Sequence, residues 1–284
     1  MLSRKVFAGA FVIVLSLSAA EKDTFTSIDF PNAVSTTQPS HLTSINARGD
    51  VVSTYLGTDN LYHGFLLRDG IYTTIDFANG AQTKPQGIND EGTIVGDYIF
   101  GAPPQGFVLS AAVFTTLDVP LAVATLAHGI NNAGDIVGLY GRPGSSHGFI
   151  YSGGVFTSID VPGASSTQAW GINNLGVIVG SYSMSGTGHG FMLSGGTFVT
   201  IDCPDSAGPN ATVAQGINPE GQIVGICTTT DGKAHGFLLN KNGFSLIDVP
   251  EATGTTADAI NPEGAITGSY TTADGKRHGY LLSK

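Results

Sequence analysis

Five histidines and six aspartates recur along this chain at fixed intervals, a combination of side chains that could ligate a metal or move protons. His63 precedes Asp76 by 13 residues, and the same interval separates His147 from Asp160, His189 from Asp202 and His235 from Asp248. Gln105 takes the place of histidine 13 residues before Asp118. His278 has no aspartate after it, and Asp29 has no histidine before it. The midpoints of the intervals fall on Asp69-Gly70, Ala111-Ala112, Gly153-Gly154, Gly195-Gly196 and Lys241-Asn242. Most of these are residue pairs suited to two-residue hairpin turns, so each histidine should stand across a strand pair from its aspartate. A residue that recurs once per hairpin serves the hairpin, and histidines in separate hairpins cannot converge on one metal. The pairs His63–Asp76, His147–Asp160, His189–Asp202, His235–Asp248 and, across the chain ends, His278–Asp29 therefore read as structural.

The hairpins belong to a longer repeat. A word F-T-x-I-D is followed by a loop with Pro and Ala, then by G-I-N-x-x-G-x-I-V-G-x-Y, a variable loop, and H-G-F-x-L. The aspartate of the first word falls at Asp29, Asp76, Asp118, Asp160, Asp202 and Asp248, so the spacing is 42 to 47 residues. Each word is a short β-branched and aromatic run bounded by Gly, Asn, Asp or Pro, which predicts about four strands per unit and no helix. Four strands in that length match a propeller blade. The expected fold is an all-β, six-bladed propeller, a single domain over residues 21–284. The sixth unit lacks its F-T-x-I-D, and Phe25-Thr26-Ser27-Ile28-Asp29 stands alone at the other end, so the N-terminal strand should complete the last blade beside His278 and remove the open edge. The N-x-x-G segments read as tight turns; they lack the carboxylate density of a calcium loop.

In these words the chain resembles the probable extracellular HAF-repeat family, named for a His-Ala-Phe word after G-I-N-x-x-G-x-I-V-G. The word is written here with glycine, as in His63-Gly64-Phe65 and His189-Gly190-Phe191. The resemblance covers nearly all of residues 25–284 and implies an exported repeat protein. It supplies no catalytic residues.

One position inside the repeated words does not repeat. Immediately before each G-I-N word stand Thr43, Gln86, His128, Trp170, Gln215 and Asp258. In a closed propeller these occupy equivalent places on the innermost strands and form a ring near the axis, a concave site for a small ligand. Trp170 is the only tryptophan. The variable loops, Gly57 to Tyr62, Gly101 to Pro104, Gly141 to Ser146 and Thr228 to Lys233, should open on the same face as the Asp-Pro loops, where a rigid scaffold carries recognition. The reading that follows is a binding or interaction module for a glycan, peptide or protein. The alternatives are an extracytoplasmic hydrolase or lyase on glycan or lactone-like substrates, with His128 as base and Asp258 as its partner, or a purely structural surface protein. No cofactor and no metal is implied.

The remaining inferences concern compartment. Arg4 and Lys5 precede an apolar stretch from Val6 to Ala20, with Ser18 and Ala20 suited to cleavage before Glu21, so residues 1–20 read as a signal peptide. The mature chain is then expected outside the cytoplasm, extracellular or periplasmic, with no stable membrane anchor. The chain holds 12 Lys+Arg against 22 Asp+Glu and carries a formal charge of −10, which excludes a nucleic-acid partner. Export permits a disulfide between the only two cysteines, Cys203 and Cys227; two small buried thiols are the alternative. Asn210-Ala211-Thr212 forms a glycosylation sequon.

Overall fold

A computed structural model of the chain describes residues 24–36, 43–78, 81–101, 103–206 and 211–283. The expected signal peptide and the sequon asparagine lie outside the described residues.

Blade 3 shows how each unit folds. Its strands run Ala124–Ile130, Ile136–Arg142, Ser145–Ser152 and Val155–Ile159, paired antiparallel in that order from the axis outward. The G-I-N word is innermost and the F-T-x-I-D word outermost. Five sheets of this order close into a ring with a sixth that uses both chain ends. There, Thr24–Ile28 pairs with Arg277–Ser283 as the outer strand of blade 6, in the register Ser27↔Tyr280 and Ile28↔Gly279. The fold is thus a six-bladed β-propeller. In blade 1 the inner strand is described in two pieces, Ser35–Thr36 and Ser44–Ile45.

The hydrophobic core lies between blades. The aromatic residue of each H-G-F/Y word and of its blade 2 counterpart Gln105-Gly106-Phe107, namely Phe65, Phe107, Phe149, Phe191, Phe237 and Tyr280, is wholly buried. Phe149 of blade 3, for example, packs with Val95 and Leu117 of blade 2. Burying a phenylalanine contributes roughly 1.5–3 kcal/mol, and the ring arrangement repeats that contribution at every blade junction.

Two hydrogen-bonded ladders invisible in the strand pattern sew the blades together. Six buried threonines, such as Thr83, Thr125 and Thr167, each accept the backbone N–H at the start of the loop that leads into their own strand, as Val119 N to Thr125 Oγ1 at 3.0 Å. Near the axis, the asparagine of each G-I-N word donates from Nδ2 to the asparagine carbonyl of the next blade. The circuit runs Asn46, Asn89, Asn131, Asn173, Asn218 and Asn261, and the last returns to Asn46 O at 3.4 Å. The same side chains close their own turns, as Asn131 Oδ1 accepting from Asp135 N. The N-x-x-G segments are therefore tight turns and blade connectors at once.

Cys203 and Cys227 are joined in a disulfide 24 residues apart in sequence. They stand where two other blades put a stacked pair, Phe30 on Tyr55 and Phe77 on Tyr98. The bond takes the aromatic pair's task of pinning the incoming loop onto the second strand of the blade.

Candidate functional site

The outer hairpins place each histidine on its aspartate at the loop-bearing edge. Nδ1 of His63, His147, His189 and His235 lies 2.8, 2.8, 2.9 and 2.8 Å from Oδ1 of Asp76, Asp160, Asp202 and Asp248. His278 Nδ1 reaches Asp29 Oδ2 at 3.0 Å across the closure. In blade 2, Gln105 Nε2 donates to Asp118 Oδ2 at 3.0 Å. The imidazoles of His63, His147, His189 and His278 also stack on Tyr55, Tyr140, Tyr182 and Tyr270 of the neighbouring strand. These five pairs sit on five blades, and among the described residues no group of three or more His, Cys, Asp or Glu converges to hold a metal. Among the described residues His63 alone of the five is bracketed by two carboxylates, Asp76 and Asp59. Desolvation acts to lower its pKa, but the two aspartates outweigh burial and raise it above the ordinary value.

At the axis the backbone makes the same irregularity in five blades. The inner-strand register shifts between Pro85 and Gly87, Ala127 and Gly129, Ala169 and Gly171, Ala214 and Gly216, and Ala257 and Ala259. The residue left over at each shift is Gln86, His128, Trp170, Gln215 or Asp258. A bulge frees one residue from the ladder and re-aims its side chain, and here it turns five non-repeating side chains into a single cavity of about 90 Å3. The inner strands crowd one another just past the bulge. A Cβ on Gly87 would lie 2.5 Å from His128 O of the next blade, so the inner strands approach too closely for a larger residue there. Below the five side chains, Ile45, Ile88, Ile130, Ile172, Ile217 and Ile260 line both this cavity and a smaller one on the turn side, and separate the two.

The sequence places six residues in this ring, and the structure brings five of them to the cavity wall. Thr43 is a correction. It does not line the cavity; its N–H donates to Asp258 Oδ2, its hydroxyl lies 3.1 Å from Ser53 Oγ, and its carbonyl accepts from Thr267. The His128–Asp258 partnership required for acid–base chemistry is not formed either. His128 Nδ1 is 2.9 Å from Ala169 O, and its ring stacks on Trp170 with centroids 4.1 Å apart. Burial pushes the imidazole down to about 4, so it is neutral near pH 7 with its Nε2 lone pair free. Burial likewise pushes Asp258 up to about 6, against the hydrogen bonds from Thr256 and Thr43 and the charge of Arg277. Trp170 Nε1 donates to Ser181 Oγ at 3.0 Å, and Trp170 is the one bulged residue that is not fully buried.

Asp97 is a member of this neighbourhood that sequence reasoning missed. It is buried beside Gln86, whose amide donates to its Oδ1, and burial raises its carboxyl to about 6 despite the charge of Lys84. Its signal was available. Asp97 occupies the variable place in G-x-Y, where blades 3 and 5 carry Leu139 and Ile226.

The structure's likeness to known proteins lies in the propeller itself. Over 92% of this chain and 86% of the other, it resembles AofleA from Arthrobotrys oligospora, with a TM-score of 0.61 at 12% identity. It also resembles a catalytically inactive virginiamycin B lyase from Staphylococcus aureus with quinupristin, over 93% of this chain and 100% of the other, with a TM-score of 0.51 at 11% identity. A third is an Aleuria aurantia lectin in complex with Fucalpha1-6GlcNAc, over 88% and 96%, with a TM-score of 0.50 at 11% identity. No family model matches the chain, and no curated protein does.

Proposed function

We propose that this protein is an exported binding module of the HAF-repeat kind that takes a glycan on its loop-bearing face, with Trp170 as the aromatic platform at the mouth of the axial cavity. The observation that carries this reading is the set of five bulges, which aim Gln86, His128, Trp170, Gln215 and Asp258 at one point on a scaffold that otherwise repeats. A sugar rests against the exposed edge of the indole rather than inside, because about 90 Å3 is far below the roughly 300 Å3 at which pockets begin to enclose a drug-sized ligand. The lectin among the structural neighbours supports a glycan as the ligand class. The hydrolase or lyase alternative loses its residues: His128 and Asp258 are buried and bonded to separate neighbours.

The test is calorimetric titration of residues 21–284 with a panel of soluble oligosaccharides, beside Trp170→Phe. Saturable heat with at least one glycan, lost or strongly weakened in Trp170→Phe while the melting temperature holds, is the expected result. No heat across the panel would leave the propeller as a scaffold. Export is tested separately by the N-terminal sequence of the protein recovered outside the cell, which should begin at Glu21.

A further inference from the structure

The axial cavity holds more hydrogen-bond acceptors than donors. Gln86 and Gln215 line it, and the Oε1 of each has no hydrogen-bond partner among the described residues, although only 1% and 8% of the two residues is exposed. The Asp258 carboxylate lines it as well, 3% exposed, with Thr43 N as a backbone donor. The donors of the ring, other than the amide of Gln215, are spent on the protein instead. Gln86 Nε2 is bonded to Asp97, Trp170 Nε1 to Ser181 and His128 Nδ1 to Ala169 O, which leaves His128 Nε2 as one more acceptor. Buried acceptors in native proteins are nearly always satisfied, so each orphan calls for an unseen partner.

We propose that the axial cavity is a binding site for one partly hydrated monovalent metal cation of sodium or potassium size, held by Gln86 Oε1, Gln215 Oε1 and the Asp258 carboxylate. The donor set decides the class. Two amide oxygens and a carboxylate are hard ligands, which excludes the soft and borderline metals that thiolates and imidazole clusters select. The charge decides the valence. Among the described residues Asp258 is the only acidic side chain in the wall, and one carboxylate offsets a monovalent ion but would leave half the charge of a divalent one unbalanced. Arg277 sharpens the point, because its Nη2 is bonded to Ser269 Oγ while its positive charge still acts on Asp258. His128 is neutral near pH 7 and adds no competing charge. A cavity of about 90 Å3 leaves room for the ion and a few waters to complete its shell. The proposal does not depend on the glycan reading, since the ion would sit below Trp170 with or without a sugar above it.

The experiment uses residues 21–284 with no glycan present, dialysed into choline chloride. Choline chloride is then replaced by sodium, potassium, ammonium or calcium chloride at constant ionic strength while Trp170 emission and the melting temperature are followed. The expected result is a saturable change with sodium or potassium and none with choline, its half-saturation weakened roughly tenfold or more in Gln215→Leu and in Asp258→Asn. Should either variant fail to fold, crystals of the unmodified protein soaked in thallous or rubidium ion give the second measurement: an anomalous peak on the axis within contact of Gln86 and Gln215. A response to calcium but to neither alkali metal would overturn the valence. Identical curves in every salt, with water alone on the axis of the soaked crystal, would overturn the site.

Discussion

At the rim of this propeller the same histidine meets the same aspartate in five blades, at 2.8 to 3.0 Å. At the hub, five bulges of one backbone shape carry glutamine, histidine, tryptophan, glutamine and aspartate. Both positions recur once per blade, so the contrast lies in the side chains alone. What every blade repeats is what a blade needs in order to fold; a position whose backbone repeats and whose side chain does not is free of that duty and open to function. At the hub burial leaves Gln86 Oε1, Asp97 Oδ2 and Gln215 Oε1 unpaired, against Asp29 Oδ1 at the rim, and it pushes the carboxyls of Asp97 and Asp258 up to about 6.

The comparison can be broken at either end, and the hub should answer more strongly. Asn131→Ala opens the asparagine circuit and strands Asp135 N, while Asn173 O keeps the N–H of Gly176, and should cost roughly 1–3 kcal/mol in urea unfolding, the usual cost of one stranded polar group. Replacing both cysteines by serine frees a loop of 24 residues' separation and should cost about 3 kcal/mol by the chain-entropy estimate, read by the same unfolding curves.

In choline chloride, with no alkali-metal ion present, Asp258→Asn gives a pH signature. The unfolded carboxyl loses its proton near 3.8 and the folded one near 6, so between those values the folded wild type binds more protons and grows less stable as pH rises. Relative to wild type, the variant should gain stability from about pH 4 to 6 and hold the gain above, on the order of 2–3 kcal/mol. His128 runs the opposite way, its folded value near 4 adding stability as pH rises towards 6.5, and this term cancels in the comparison. A flat difference across that range would refute the buried acid. At the rim, His147→Ala should cost at most about 1 kcal/mol, because the aspartate of the pair is 47% exposed. Smaller still, Ala112→Gly in the blade 2 turn should stabilise by about 0.5–1 kcal/mol, since Ala112 is held at φ 62°.

The rim was legible in the sequence because it is local. Thirteen residues and a two-residue turn fix which atoms meet, and the unmatched F-T-S-I-D at Asp29 announced the closing strand in the same arithmetic. The hub was legible only as a row of positions. That a side chain at Gly87, beside the extruded Gln86, would run into His128 O is set by chain segments about forty residues apart, which no local pattern encodes. For the same reason spacing could not tell that His128 stacks on Trp170, that Asp258 turns to Thr43, or that the asparagines of separate turns join hands around the axis. The two cysteines were open to two readings because their partnership rests on an inter-blade loop folding over a strand, the place two other blades give to aromatic stacks.

The most direct test of the division between rim and hub is one calorimetric glycan titration on three proteins: residues 21–284 unmodified, the same chain with His63, His147, His189, His235 and His278 all replaced by alanine, and Trp170→Phe. The account predicts that the five-histidine variant binds with the affinity of the unmodified protein and Trp170→Phe does not. Loss of binding in the rim variant, with Trp170→Phe unaffected, would place recognition in the repeated pairs and contradict it.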